Sequence, residues 1–277
     1  MPLSSNSENV EKAIPDASAI LSSWMARNIN FDTPNKESIC ALKDTWDRVL
    51  SKSFLPSSKG DMWWERIVTL HSAPDRAYHT LIHLKEMIGF LALLGSSMPP
   101  LFGKDGEIIM TLSTFFHDAV YNAKSSSNEE DSARLFQEFS NDMGGFKPDY
   151  KDVQDHVVNY ILATKHHKLP EITNKKNEHD NEVRECLKFF LDIDMAVLGK
   201  EEAAYLHYAG LIRREYKFVE HSIYCEKRAD ILEGFLNETD IYHTEIMRGA
   251  LEDVARSNLL KEIDFLRKRI IPGEKGD

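Results

Sequence analysis

The 277-residue chain can form one large domain or two small ones, and its hydrophobic content of 42% suffices for a packed core. Its 45 acidic residues outnumber its 34 basic residues, which gives a formal net charge of -11. This balance disfavours a nucleic-acid polymer or an anionic membrane as a partner, because both attract basic surfaces; a small phosphorylated ligand stays compatible with it.

Three cysteines, Cys40, Cys186 and Cys225, are odd in number and far apart, so they predict neither a disulfide framework nor a CxxC metal site. We expect each to be a small buried side chain in a reducing compartment. The first residues lack the basic and apolar regions of a signal peptide, and the apolar run at residues 87–94 is too short to cross a bilayer. We therefore expect a cytoplasmic protein.

Hydrophobic residues recur at helical spacing along most of the chain, and no convincing strand pattern appears. This predicts an all-α protein of about nine to eleven helices. We expect one domain at residues 21–270 between flexible segments at 1–20 and 271–277. The predicted helices cover residues 36–53, 63–70, 79–94, 107–120, 128–139, 151–165, 182–196, 201–217, 219–236 and 241–269. Loops are expected at residues 55–60, 95–106, 122–127 and 169–179.

Two histidines, His79 and His83, lie four residues apart in the predicted helix 79–94, so both rings would project from one face. The spacing matches the HExxH motif of zinc proteases, but Thr80 stands where that motif has its glutamate, which disfavours a metalloprotease. A surface pair without function is the alternative, because histidines at this spacing are common on helices.

The pair His117–Asp118 interrupts the most apolar predicted helix, residues 107–120. Burying two polar side chains is costly unless a metal ion or a mutual hydrogen bond satisfies them. Neighbouring helical residues diverge by about 100°, so a single ion between them would require the helix to point edge-on at it. Histidine and aspartate residues of other helices can complete a site of nitrogen and oxygen ligands for one or two ions.

The order of these motifs on an all-helical chain resembles the HD superfamily of metal-dependent phosphohydrolases. More narrowly, several segments are similar to a little-characterised branch of predicted HD phosphohydrolases, and the likeness covers roughly residues 76–266. The segments that carry it are Arg76-Ala77-Tyr78-His79-x3-His83, Phe116-His117-Asp118-Ala119-Val120-Tyr121, Asn128-Glu129-x2-Ser132-Ala133, Ala163-Thr164-x2-His167, residues 192–199 and residues 212–216.

The resemblance implies an HD-type helical domain that holds one or two divalent ions, with Mn, Mg, Co, Zn or Fe as candidates. The ligands that it implies are His83, His117, Asp118, Asp194 and His167. Asp194 is preferred to Asp192, which would then be a helix-surface carboxylate or would support a ligand. His167, or His166 in its place, would bind a second ion or the phosphate of the substrate.

For catalysis, the resemblance implies that His79 is a general acid, as in the YHNxxH segment of cyclic-nucleotide phosphodiesterases, although Thr80 replaces the asparagine. Asp118 would also bridge two ions, and Glu129 would orient water or a ligand histidine. The residues expected at the substrate are Arg76, Asn128, Lys165, His166 and Arg213, with Arg228 as a further candidate. Structural ion pairs for the arginines and a helix cap for Asn128 are the alternatives.

The activity implied is hydrolysis of a phosphoester of a small metabolite or nucleotide by a metal-activated water. An HD-type di-iron oxygenase uses similar ligands and is one alternative, and a non-catalytic, metal-stabilised binding protein is another. No phosphate-binding glycine loop, nucleobase motif or basic groove identifies the substrate. The oligomeric state is left open.

Overall fold

The computed structural model describes Leu21 and residues 34–97, 103–147, 152–170 and 178–271. These residues form ten α-helices and one short 3₁₀ helix, without a strand in the described ranges, so the predicted all-α class and helix number are confirmed. Apart from Ile271, the predicted flexible segments lie outside the described residues. None of the described helices is long and apolar enough to cross a membrane.

Contacts between Cα atoms divide the chain into two compact units. We call Phe31–Leu191 the larger unit, and Asp192–Asp277 together with Met1–Asn30 the smaller unit. The single domain expected at residues 21–270 stays a prediction. The larger unit contains α1 (Lys36–Lys52), α2 (Ser57–His71), α3 (Leu81–Ser97), α4 (Gly103–Phe116), α5 (Asn128–Asp142), α6 (Val153–Ala163) and most of α7 (Glu178–Asp194).

Helix α4 is the centre of the larger unit, as its apolar sequence predicts. It packs against α1, α3, α5 and α6. Its last residues join an aromatic cluster, in which the rings of Trp46 and Phe115 meet edge to face at 5.3 Å and those of Phe116 and Phe139 lie 5.0 Å apart. Such ring pairs add to the stabilisation from apolar burial, so they fix the end of α4 firmly in the core.

The smaller unit contains a 3₁₀ helix (Met195–Gly199), α8 (Glu202–Glu215), α9 (His221–Asn237) and α10 (Glu245–Arg267). Helix α10 packs against the other three elements. The buried amide of Asn258 donates hydrogen bonds to the carbonyls of Leu198 and Lys200 at 2.9 and 2.8 Å. This buried polar contact ties α10 to the end of the 3₁₀ helix.

Several boundaries differ from the predicted ones. Helix α2 begins at Ser57, inside the predicted loop 55–60, and the predicted loop 95–106 contains the end of α3 and the start of α4. Packing outweighs the low helix propensity of the glycines in these segments. Helix α7 begins at Glu178, within the predicted loop 169–179, whose residues 171–177 lie outside the described ranges. Cys186 and Cys225 are buried as expected, whereas Cys40 is exposed, so that prediction was wrong.

Candidate metal centre

Two helix boundaries determine how the central residues are presented. Helix α4 ends at Phe116, so His117 and Asp118 lie in the turn beyond it. The sequence had placed them inside the predicted helix 107–120, and that prediction was wrong. Helix α3 begins at Leu81, so His83 lies in its first turn while His79 precedes it. The divergence of neighbouring helical side chains therefore does not apply to the His117–Asp118 pair, and both side chains reach one point.

Four side chains of the larger unit converge there. The Nε2 atom of His117 lies 3.2 Å from Nε2 of His83 and 3.0 Å from Oδ2 of Asp118. The same carboxylate oxygen lies 3.9 Å from Nε2 of His83 and 4.0 Å from Nε2 of His79. The side chains of His83 and His117 are 3% and 1% exposed, whereas those of His79 and Asp118 are 19% and 17% exposed. Solvent therefore reaches the cluster on the side of His79 and Asp118.

The tautomer of His117 follows from its second nitrogen. Its Nδ1 atom lies 2.9 Å from the carbonyl oxygen of Thr114, and this oxygen can only accept a hydrogen bond. Nδ1 therefore carries the proton, and Nε2 presents a lone pair toward His83 and Asp118. Histidine ligands of metals are commonly held in this way by a backbone carbonyl on the other nitrogen.

The donor atoms fit a single divalent ion. Atoms bound to one ion at about 2.1 Å, at right angles to each other, lie about 3.0 Å apart, and opposite atoms lie about 4.2 Å apart. The separations among His83, His117 and Asp118 fall between these limits, from 3.0 to 3.9 Å. His83 and His117, though not Asp118, also belong to a group of described side chains that could hold a metal ion.

No protein-family model and no curated protein matches this chain. The likeness to the HD superfamily therefore rests on the sequence motifs. Three residues of those motifs, His83, His117 and Asp118, converge in the larger unit. Asp194 is the last residue of α7 and belongs to the smaller unit, and its role as a ligand stays a prediction.

Two tyrosines surround the histidines. The ring of Tyr121 stacks on that of His79, with centroids 4.2 Å apart, and the buried ring of Tyr78 contacts His79 and His83 at 5.1 and 4.9 Å. These contacts restrict how the His79 ring can turn. Both tyrosines lie in the motif segments, since Tyr78 directly precedes His79 and Tyr121 lies three residues beyond Asp118, but the motifs indicate no role for either.

Arg76 lies beside the cluster but is directed at the backbone. Its Nη1 atom donates to the carbonyls of His79 and Asp118 at 2.9 and 2.7 Å, and Nη2 donates to that of Ala119 at 2.8 Å. The guanidinium also lies 5.5 Å from the centroid of the Tyr121 ring. Substrate binding by Arg76 stays a prediction.

Lys165 attaches the segment that carries His166 and His167 to the start of α5 and the loop before it. The Lys165 ammonium pairs with Glu130 at 2.5 Å and donates to the carbonyl of Ser126 at 2.7 Å. His166 is exposed, and His167 has a φ of 50°, a left-handed conformation that is uncommon for a residue with a side chain. The expected roles of Lys165, His166 and His167 toward substrate or a second ion stay predictions.

Asn128 and Glu129 open helix α5. The side chain of Asn128 accepts a hydrogen bond from the amide of Asn122 and donates one to its carbonyl, at 3.0 and 3.1 Å. Asn128 is the first helical residue and Ser127 is the cap position, so the alternative that Asn128 caps the helix was wrong. It fastens the loop that follows the His117–Asp118 turn. Substrate binding by Asn128 and the predicted role of Glu129, which is half-buried in the first turn, stay predictions.

Asp192 is a structural anchor of the smaller unit. It is 1% exposed and accepts hydrogen bonds from the amides of His243 and Thr244 at 2.6 and 2.8 Å, and from the Thr244 hydroxyl at 2.6 Å. Burial raises the pKa of Asp192 to about 7, and the hydrogen bonds from residues 243 and 244 oppose that shift. The alternative that it is a helix-surface carboxylate was therefore wrong.

The two arginines expected near substrate in the smaller unit also have structural contacts. Arg213 donates to the carbonyls of Tyr216 and Val219 at 2.9 and 3.0 Å, which closes the turn after α8. Arg228 pairs with the buried Glu262 at 2.9 Å, as the ion-pair alternative states. Substrate binding by Arg213 stays a prediction.

Proposed function

We propose that this protein is a metal-dependent phosphohydrolase of the HD type. Its substrate would be a phosphoester of a small metabolite or nucleotide, attacked by a metal-activated water. The observation that carries the proposal is the convergence of His83, His117 and Asp118 at separations of 3.0 to 3.9 Å, with His79 on the exposed side of the cluster. The motif order of the sequence supports the same reaction class.

The ligands favour particular ions. The lone pair of His117 and the ring of His83 would bind through nitrogen, and Asp118 would contribute a negative carboxylate oxygen. Two imidazoles with a carboxylate suit Mn, Fe, Co or Zn better than Mg, which prefers oxygen ligands. A bound divalent ion would supply a water of lowered pKa and would polarise a phosphoryl oxygen.

His79 is the candidate general acid. Its ring is partly exposed, it stacks on Tyr121, and its Nε2 atom lies 4.0 Å from Asp118. A proton on Nε2 can pass to the leaving oxygen of a substrate that lies against Asp118. The stacked Tyr121 ring holds the imidazole in place, so the proton is presented in one direction. His79 would therefore act on the substrate without binding the ion.

The acidic composition supports a small substrate. A net charge of -11 repels a polyanion such as a nucleic acid, whereas a metal ion attracts a single phosphate group locally. We propose phosphorylated metabolites or nucleotides as the class. The expected cytoplasmic location stays a prediction.

The test is phosphate release from a panel of nucleotides and sugar phosphates, with Mn, Mg, Co, Zn or Fe added to metal-stripped protein. We expect release that requires a metal and disappears in His117→Ala. Iron binding with oxygen uptake and no phosphate release would instead support the di-iron oxygenase. Metal binding without either reaction would support a non-catalytic binding protein.

A further inference from the structure

One guanidinium joins the two segments that carry His79 and Asp118. Arg76 donates to the carbonyl of His79 before α3, and to the carbonyls of Asp118 and Ala119 after α4. In sequence, Arg76 lies 42 and 43 residues from the latter two. Arg76 is 8% exposed, so these bonds are made in a largely desolvated environment, where each is stronger than in water.

Arginine suits this position for two physical reasons. Its planar group holds several N–H donors in a fixed arrangement and stays charged at every relevant pH, so it can bind several carbonyls at once. The carbonyls of Asp118 and Ala119 also lie just beyond the last turn of α4, where the helix dipole places partial negative charge. A lysine would keep the charge but lose the planar arrangement.

His71, five residues before Arg76, also contacts the guanidinium. It is the last residue of α2, is 1% exposed, and places Nδ1 3.3 Å from Nη1 of Arg76. Nη1 carries two hydrogens, and the nearer carbonyls of His79 and Asp118 accept both, so the longer contact with His71 shares one of them. Because arginine only donates, Nδ1 of His71 is the acceptor in this shared contact, and the proton of the neutral ring lies on Nε2. Burial lowers the pKa of His71 well below its ordinary value, and the charge of Arg76 lowers it further, so the ring is neutral at pH 7.

We infer that Arg76 and His71 are positioning residues, which hold the His79 and His117–Asp118 segments in the register that the metal centre needs. Arg76 fixes the two backbones to each other, and His71 fixes the guanidinium to the end of α2. The link to metal binding rests on the proposed function, whereas the link between the two segments does not. This role differs from that of an arginine that binds the substrate phosphate.

Four variants separate these roles. Arg76→Lys keeps the charge but removes the planar group. His71→Leu removes the acceptor, whereas His71→Asn keeps an oxygen close to the position of Nδ1 and should rescue the loss. Arg66→Lys is the matched control, because Arg66 is a surface residue of α2 that pairs with Glu138.

The first readout needs no metal. Amide hydrogen exchange is measured on metal-free protein in peptides that cover residues 78–83 and 117–121. We expect exchange at least about tenfold faster in both peptides for Arg76→Lys and His71→Leu, but not for His71→Asn or Arg66→Lys, since local opening governs exchange. Unchanged exchange in these peptides, an even increase across residues 31–191, or equal behaviour of the Asn and Leu variants would each overturn the inference.

The second readout is binding of Mn²⁺ alone, followed by binding of inorganic phosphate to the Mn²⁺-loaded protein. Loss of groups that orient metal ligands weakens metal binding by about 10- to 100-fold, so we expect this change in Arg76→Lys and His71→Leu. Weaker phosphate binding with unchanged Mn²⁺ binding in Arg76→Lys would overturn the positioning role. If the unmodified protein binds no Mn²⁺, the same titration is made with Fe, Co and Zn; binding of none of these ions means that the proposed function fails, and hydrogen exchange still decides the inference.

Discussion

The Nε2 atoms of His83 and His117 face each other at 3.2 Å, although 34 residues separate them in the chain. Both rings are almost fully buried, and the carbonyl of Thr114 fixes the proton of His117 on Nδ1. Two imidazole nitrogens held this close to the carboxylate of Asp118 form a set of donor atoms with the spacing that one divalent ion requires. The contact between these histidines is the structural basis of the predictions for the metal centre.

Removal of one ligand should remove the ion and its contribution to stability. In His117→Ala we expect loss of bound metal, and in the unmodified protein we expect a chelator to lower the free energy of unfolding by about 3 kcal/mol when metal is present at about 100 times its dissociation constant. Metal analysis measures the loss of bound metal, and unfolding with and without chelator measures the loss of stability. His207→Ala, which changes an exposed histidine of α8, should respond to chelator as the unmodified protein does. An equal chelator effect in His117→Ala would contradict the assignment.

His79 should be separable from the ligands. As a general acid, its removal in His79→Ala should lower kcat by about 10²- to 10⁴-fold while metal content stays unchanged. Tyr121→Phe keeps the stacked ring and should retain most of the activity. Loss of metal from His79→Ala would make His79 a ligand, and full activity with full metal content would remove it from the mechanism.

Two glycines of the smaller unit should respond oppositely to substitution by alanine. A Cβ atom at Gly199 would lie 2.6 Å from Cβ of Leu251, whereas nothing lies within 4 Å of a Cβ atom at Gly234. We expect Gly199→Ala to lower the free energy of unfolding by about 1–3 kcal/mol through overpacking. Gly234→Ala lies inside α9 and should raise it by up to about 1 kcal/mol. Urea denaturation measures both, and equal stability of the two variants would show that the close contact with Leu251 is absent.

Glu220 should make helix α9 sensitive to acid. Its carboxylate caps the helix by accepting from the amides of Ser222 and Ile223 at 2.9 and 3.1 Å, and it also accepts from the Ser222 hydroxyl. The hydroxyl bond, followed by the two amide bonds, lowers the pKa of Glu220 from 4.5 to about 2. A pKa that is lower in the folded state stabilises the fold above the unfolded value and loses this effect as the pH falls. The stabilisation is therefore complete above pH 4.5 and disappears toward pH 2.

The variant Glu220→Gln tests this pH dependence. Its melting temperature should be lower than that of the unmodified protein at pH 6, and the difference should shrink between pH 4.5 and 3. Glu226→Gln, at an exposed position of the same helix, controls for the loss of one negative charge. A difference that stays constant over this range would show that the cap does not depend on ionisation.

The helical class and the central helix follow from the sequence because hydrophobic periodicity reflects burial directly. The end of α4 could not be predicted from the sequence, because the buried stretch continues beyond the helix. Ala119 is fully buried although the helix ends at Phe116. The apolar pattern therefore extended the predicted helix to residue 120 and placed His117 and Asp118 inside it. Their convergence with His83 was expected from motif order, but their distances depend on this exit from the helix.

Side-chain contacts with distant backbone atoms could not be predicted from the sequence either. Arg76 matches a motif that suggests phosphate binding, but its carbonyl partners after α4 lie more than 40 residues away and carry no side-chain signature. Asp192 likewise looks like a neighbour of Asp194 on one helix, whereas its hydrogen bonds reach Thr244, 52 residues away. Residue types predict which chemistry is available, and the fold decides which polar groups are used for structure.

The most direct test is the metal content of the protein purified without added ions, determined by mass spectrometry beside that of His117→Ala. We predict one or two equivalents of a divalent transition metal in the unmodified protein and a loss of metal in the variant. Metal-free protein that binds no added Mn, Fe, Co or Zn, or equal metal content in the variant, would contradict the central claim that His83, His117 and Asp118 form a metal centre.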